Sequence, residues 1–167
     1  MRLGSPGWWG TKIRQAFRHL RARVPTRERE SLRPWLTPDQ LTLFDAMHVA
    51  DRRHGLDVVA ALRHGGESDP DVLLAGLLHD AGKGQTGMLP RVAYALGQAY
   101  GRRMEAPFRL VPGLPAALAR LRAHAETSAH LAETAGCSAR TVELIRWQDA
   151  PRDPDAGERL RLADEAN

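Results

Sequence analysis

Leu73, Leu74, Ala75, Gly76, Leu77 and Leu78 form a run without a polar face, and His79 and Asp80 follow it at once. A helix apolar all round belongs in a protein interior, and this one is far too short to span a bilayer. An imidazole and a carboxylate at the end of such a helix are costly to bury unless each finds a partner. Adjacent helical residues diverge by about 100°, yet near a helix end both can reach one point. A divalent cation there would satisfy both groups. Gly82 supplies a helix stop and Lys83 comes directly after it. The alternative is an ordinary helix end with a histidine near the negative pole of the dipole. The dipeptide alone does not decide between them, so the other ligands must be sought along the chain.

The rest of the chain reads as helix after helix. Trp8 to Val24 carries Ile13, Phe17, Leu20 and Val24 on one stripe, and Pro25 breaks it. Thr26 can cap a short helix over RERESLRPWL. Thr37-Pro38-Asp39-Gln40 has the form of a capping box with proline at the first position, and Leu41, Phe44 and Met47 form the buried side. A helix from Val49 to His64 stops at Gly65-Gly66, and Asp69-Pro70 opens the all-apolar one. Leu89 to Tyr100 is helical, whereas 101–115 is irregular. Pro115 to Ala135 makes one or two helices ending at Gly136, Ser138 caps the next, and Asp153-Pro154 opens the last. No segment has the alternation of a strand. The expected fold is all-α, a single-domain helical bundle in which a basic helical segment, 1–36, precedes a main domain over 37–167.

Charge is uneven. Residues 1–35 carry nine Lys/Arg against two Glu, although the whole chain has a net charge of only +4. With Trp8 and Trp9, this segment could contact a membrane surface, a protein or nucleic acid. It could equally be a solvated helix face with an apolar stripe on the core. No recognised nucleic-acid module is present. The single cysteine, Cys137, excludes a disulfide framework and a zinc-thiolate site, and it fits a cytoplasmic location. No run is apolar and long enough for a signal peptide or a membrane span.

Of the seven histidines, His54 is the informative one outside the apolar run. Val58, Ala61 and Leu62 follow it at helical spacing, which places it on an apolar face, and Gly55 beside it permits another helix to approach closely. Asp164 shares a face with Leu160 on the last helix, and a carboxylate there also wants a cation. His54, His79, Asp80 and Asp164 therefore form a candidate metal set of two imidazoles and two carboxylates. Such a set suits Mn, Fe, Co, Ni or Zn, with Mg admissible, better than Ca. His19, His48, His64 and His130 read as ordinary surface or core histidines.

The order His…His-Asp…Asp, with HDAGK close to His-Asp-(Ile/Val)-Gly-Lys, resembles the HD domain superfamily of metal-dependent phosphohydrolases over roughly Val49 to Asn167. The resemblance implies an all-helical fold. It also implies His54 as first ligand, His79 and Asp80 as the paired ligands and Asp164 as the last. His124, in RAHAETSAHLAE, matches a histidine that can bind a second metal in many members. Those members carry a further histidine near the end of the following helix, where this chain reads VELIRWQDAP. Trp147 or Gln148 stands in its place, which favours one metal per chain and leaves His124 to face the substrate phosphate as a hydrogen-bond donor.

The expected function is hydrolysis of a nucleotide or related small anionic phosphoester. Asp80, Lys83 and His124 would be the catalytic groups, with Asp80 orienting a water and Lys83 neutralising phosphoryl charge. Arg91, Arg102, Arg103 and Arg109 could guide the anion in. The alternative is a catalytically silent metal-binding domain that senses a nucleotide or docks a partner. The intact quartet weighs against it.

Overall fold

The computed structural model describes residues 7, 10, 20–101, 103, 104, 107 and 110–167. The described residues form eight α-helices and no strand: α1 Thr26–Glu30, α2 Pro38–Ala46, α3 Val49–His64, α4 Pro70–Leu78, α5 Met88–Tyr100, α6 Leu114–Thr134, α7 Ala139–Arg146 and α8 Ala156–Ala166. A 3-10 turn, Ala81–Lys83, follows α4. The protein is all-α.

Local chemistry sets the helix starts. At α2 the Thr37 side chain accepts from the Gln40 amide while the Gln40 side chain accepts from the Thr37 amide, closing the capping box. At α4 Asp69 accepts from the Asp71 amide with Pro70 in the first turn. At α7 Ser138 accepts from the Thr141 amide. Two boundaries differ from expectation. The helix after Pro25 starts at Thr26 and ends at Glu30, beyond which residues 31–35 continue as turns. The segment 115–135, expected as one or two helices, is one. The last helix starts at Ala156, because Asp153 caps it from a distance by accepting from the amides of Asp155 and Ala156.

All seven residues from Val72 to Leu78 are buried, so α4 is the central element. Around it pack Phe44 and Met47 of the α2 region, Val58, Val59 and Leu62 of α3, Val142 and Ile145 of α7, and Leu160 of α8. Leu41 lies at the edge of this core, partly buried. Leu32 and Leu36 are buried in the same cluster, with Val24 and Trp35 against it, so the core runs across the boundary drawn at residue 36. Ile13 and Phe17 of the first expected stripe lie outside the described residues, and Leu20 is 70% exposed. No helix among the described residues is long and apolar enough to cross a membrane.

Two glycines set the packing distances around α4. A Cβ on Gly55 would stand 2.4 Å from the Leu77 carbonyl oxygen, so only glycine lets α3 lie this close to α4. A Cβ on Gly82 would stand 2.4 Å from the His124 carbonyl oxygen and 2.7 Å from the Ser128 amide nitrogen. Gly82 is thus a contact with α6 and not the stop it resembles in sequence. Helix α4 ends earlier, at Leu78, and the positive φ falls on Gly84, at 59°.

Gly55→Ala is expected to destabilise the protein by about 2–3 kcal/mol, the cost of overpacking against a backbone that cannot yield. Gly87, whose φ is −72° and whose Cβ would meet nothing within 4 Å, is the control. Gly87→Ala should change stability by less than about 0.5 kcal/mol. Urea unfolding of the two variants measures the difference.

Candidate metal centre

The end of α4 delivers His79 and Asp80, which are 1% and 2% exposed. The His79 Nδ1–H donates to the Gly76 carbonyl at 3.0 Å, which turns the Nε2 lone pair away from the helix. Gln148 donates from Nε2 to the His79 carbonyl at 3.1 Å and so fixes the backbone behind the ring. The close approach at Gly55 brings His54 beside it, with ring centroids 5.2 Å apart and the planes at 67°. From α8, Asp164 Oδ1 lies 2.7 Å from His54 Nε2 and 3.4 Å from His79 Nε2. One donor atom from each of His54, His79 and Asp164 lies within 4.8 Å of the other two, and this group could hold a metal ion.

Asp80 joins through Oδ1, 3.5 Å from His79 Nε2, while its Oδ2 accepts from Lys83 Nζ at 2.6 Å. His124 Nε2 lies 3.8 Å from Asp80 Oδ1. Asp80 stands outside that group of three but adjoins it through His79, with Lys83 and His124 on its other side. His79 Nε2 and Asp80 Oδ1 are two of the three buried side-chain atoms among the described residues that lack a hydrogen-bond partner. A protein rarely leaves such groups unsatisfied without a reason.

The charges hold one another. Burial pushes the His79 imidazole down, but Asp80 and Asp164 overcome this and raise it to about 9 from the ordinary 6.5. Burial alone would raise Asp80 and Asp164. For Asp80 the opposing charges of His79 and Lys83 prevail, and for Asp164 the bond to His54 and the nearby His79 imidazole, so both stay below the usual carboxylate range. Lys83 is lowered by burial and more than restored by Asp80 and Asp51. His124 is pushed down by burial and then by the neighbouring Lys83. Its Nδ1–H donates to the Leu121 carbonyl at 2.8 Å, so the neutral ring offers Nε2 as a lone pair toward Asp80. The donor role expected for His124 is therefore closed to the neutral ring, which can only accept there.

Other expected residues have different duties. Arg91 donates to Asp51 at 2.6 Å and to the Thr86 carbonyl at 3.0 Å, so it braces the loop after Lys83 and is not free to meet an anion. Arg103 is exposed, while Arg102 and Arg109 lie outside the described residues. His48 accepts from the Ala50 amide as the cap of α3. His64 and His130 are exposed, and His19 lies outside the described residues. Ser128 was not singled out in sequence, yet its hydroxyl accepts from the Gly82 amide at 2.8 Å and anchors the turn that carries Lys83. Its signal was available: Ser128 stands one helical turn beyond His124, on the same face. No family model, curated protein or solved structure matches the chain.

The shifted groups define a pH window for the metal-free protein. With His79 raised from 6.5 to about 9, its stabilising contribution is complete below pH 6.5 and is lost as pH rises through about 9. With Asp80 and Asp164 held below 3.8, their contribution is present above that value and is lost as pH falls. Thermal unfolding in chelator should therefore show greatest stability between about pH 4 and 6.5, falling on both sides. His79→Gln should flatten the alkaline limb.

Proposed function

We propose that the chain is a metal-dependent phosphohydrolase of the HD type, acting on a nucleotide or a related small phosphoester. The observation that carries this reading is the pair of buried, unpartnered atoms, His79 Nε2 and Asp80 Oδ1, beside His54 and Asp164. Two imidazole nitrogens and two carboxylates without a thiolate fit a divalent transition metal, Mn, Fe, Co, Ni or Zn, with Mg admissible. His54, His79, Asp80 and Asp164 would hold it. When bound, such a cation lowers the pKa of a coordinated water toward neutrality and polarises a phosphoryl oxygen.

The chain's own groups supply the remainder. Lys83 binds Asp80 Oδ2 and keeps Oδ1 turned toward the centre, and its ammonium can neutralise an arriving phosphoryl group. The neutral His124 ring, with Nε2 facing Asp80, can accept a proton as the nucleophile attacks. The side chains of His54 and Asp164 are 22% and 41% exposed, against 2% for His79 and Asp80, so a substrate approaches from the α3–α8 side. One cation per chain is supported by the far side of His124. Gln148 is committed to the His79 carbonyl and Trp147 lies against Arg152, so neither supplies a second ligand.

The test is elemental analysis and a substrate screen on one preparation. About one transition metal per chain is expected, and the double substitution His79→Ala, Asp80→Ala should abolish it; full occupancy in that variant would reject the ligand set. Nucleoside mono-, di- and triphosphates and cyclic nucleotides are the substrates to screen. His124→Ala should reduce turnover by about 100-fold or more while leaving metal content unchanged. Two metals per chain, with one lost on that substitution, would show His124 to be a ligand.

A further inference from the structure

Trp147 and Gln148 are neighbours with different duties. Gln148 is buried on the His79 carbonyl, whereas Trp147 lines a separate cleft of about 310 Å³ between α7 and the segment that leads into α8. None of the residues lining this cleft belongs to the metal centre. Arg140 and Glu143 of α7 and Trp147 at its C-terminal cap line it, at the i, i+3, i+7 spacing of a single helix face. Pro151, Arg152 and the carboxylate of Asp153 form the opposite wall, and Gly157 packs so tightly on Pro151 that a Cβ would stand 2.9 Å from its Cβ. The Arg152 guanidinium lies over the Trp147 ring, 3.5 Å from its centroid. Arg152 and Glu143 have no ion-pair partner among the described residues. Arg140 is half exposed, and one arm of its fork meets Asp69 at 2.8 Å.

The order of these groups along α7 matches a chemical order. At 1.5 Å per residue Glu143 stands about 6 Å from Trp147, and Arg140 about 4.5 Å beyond it. An aromatic platform, then a carboxylate, then a guanidinium matches base, ribose and phosphate laid out along one helix. We propose that the cleft binds a purine ribonucleoside monophosphate. The base extends the Trp147–Arg152 stack, as bases do on aromatic and guanidinium planes. Glu143 accepts hydrogen bonds from the ribose hydroxyls, the use to which a carboxylate is put in dinucleotide sites. The free arm of Arg140 donates to the phosphate. A cleft of this size lies at the small end of ligand pockets, which suits a mononucleotide better than anything larger.

Equilibrium dialysis of the full chain against AMP, 2′-deoxy-AMP and inorganic phosphate tests the site. AMP should bind with a Kd below about 1 mM. 2′-Deoxy-AMP, and AMP with the Glu143→Gln variant, should each bind several-fold more weakly, and phosphate alone should not compete. Trp147→Ala should weaken AMP binding about tenfold or more, while Trp147→Phe retains most of it. Since Trp147 is partly buried, the exposed Arg140→Ala provides an independent variant, also expected to lose about tenfold. His124→Ala, which is expected to keep the metal centre loaded, should leave binding in the cleft unchanged. The proposal is overturned if AMP shows no saturable binding near 1 mM, or if AMP and 2′-deoxy-AMP bind alike. It is equally overturned if His124→Ala abolishes binding that Arg140→Ala and Trp147→Ala retain, since the ligand would then belong to the metal centre.

Discussion

A carboxylate with 2% of its surface exposed is the constraint from which this architecture follows. Asp80 stays ionised at that depth because the charges of His79 and Lys83 outweigh the cost of burial, and His54 and His124 complete its surroundings. Each comes from a different place in the chain, and each has its own device for arriving. His79 comes with the end of α4, Lys83 with the 3-10 turn, His54 with α3 and His124 with α6. Removing one partner would leave an uncompensated buried charge, which is more costly than the pair was favourable. The centre is therefore a condition of the fold and also its product.

Backbone contact sets the distances within that centre. At Gly55 and Gly82 the missing side chain brings one element onto another's main chain, which is rigid in a way that flexible side chains are not. The first contact puts the His54 and His79 rings 5.2 Å apart, and the second seats the Lys83 turn on the helix that carries His124. Ser128 and Gln148 complete the arrangement by satisfying a buried amide and a buried carbonyl at either end of the 79–82 segment. Without them the turn would bury unsatisfied backbone groups beside an already charged site.

What the sequence made legible follows from how local each determinant is. Helices α2, α4 and α7 start where their caps stand, because capping is settled within four residues. The quartet was legible because each member is a polar residue on an otherwise apolar face, a contradiction visible from periodicity alone. Gly82 was misread because a glycine serving a turn and one serving a close approach are identical in sequence, and only the position of α6 separates them. The duty of Arg91 was hidden for a related reason. Its partner Asp51 lies 40 residues away, and nothing local shows that the guanidinium is already engaged. The tautomer of His124 depends on the Leu121 carbonyl one helical turn back, and knowing it turns a donor into an acceptor.

Asp164 completes the centre from the far end of the chain. Its carboxylate meets a histidine 110 residues earlier, so the pair closes nearly the whole of the main domain into one loop. Loop closure costs entropy that grows only as the logarithm of length, so a contact spanning 110 residues costs little more than one spanning half as many. The benefit is cooperative: α8 reaches the core through Leu160, and Asp164 lies one turn beyond on the same face. Docking of the last helix and completion of the ligand set are then a single event. A chain whose final helix has not docked keeps His79 and Asp80 but lacks the carboxylate that joins His54 to them. A cation held by His54 and Asp164 would bind the native state far better than any partly folded one, and by linkage would stabilise the fold. Cation binding at this cluster and closure of the bundle would in this sense be one equilibrium.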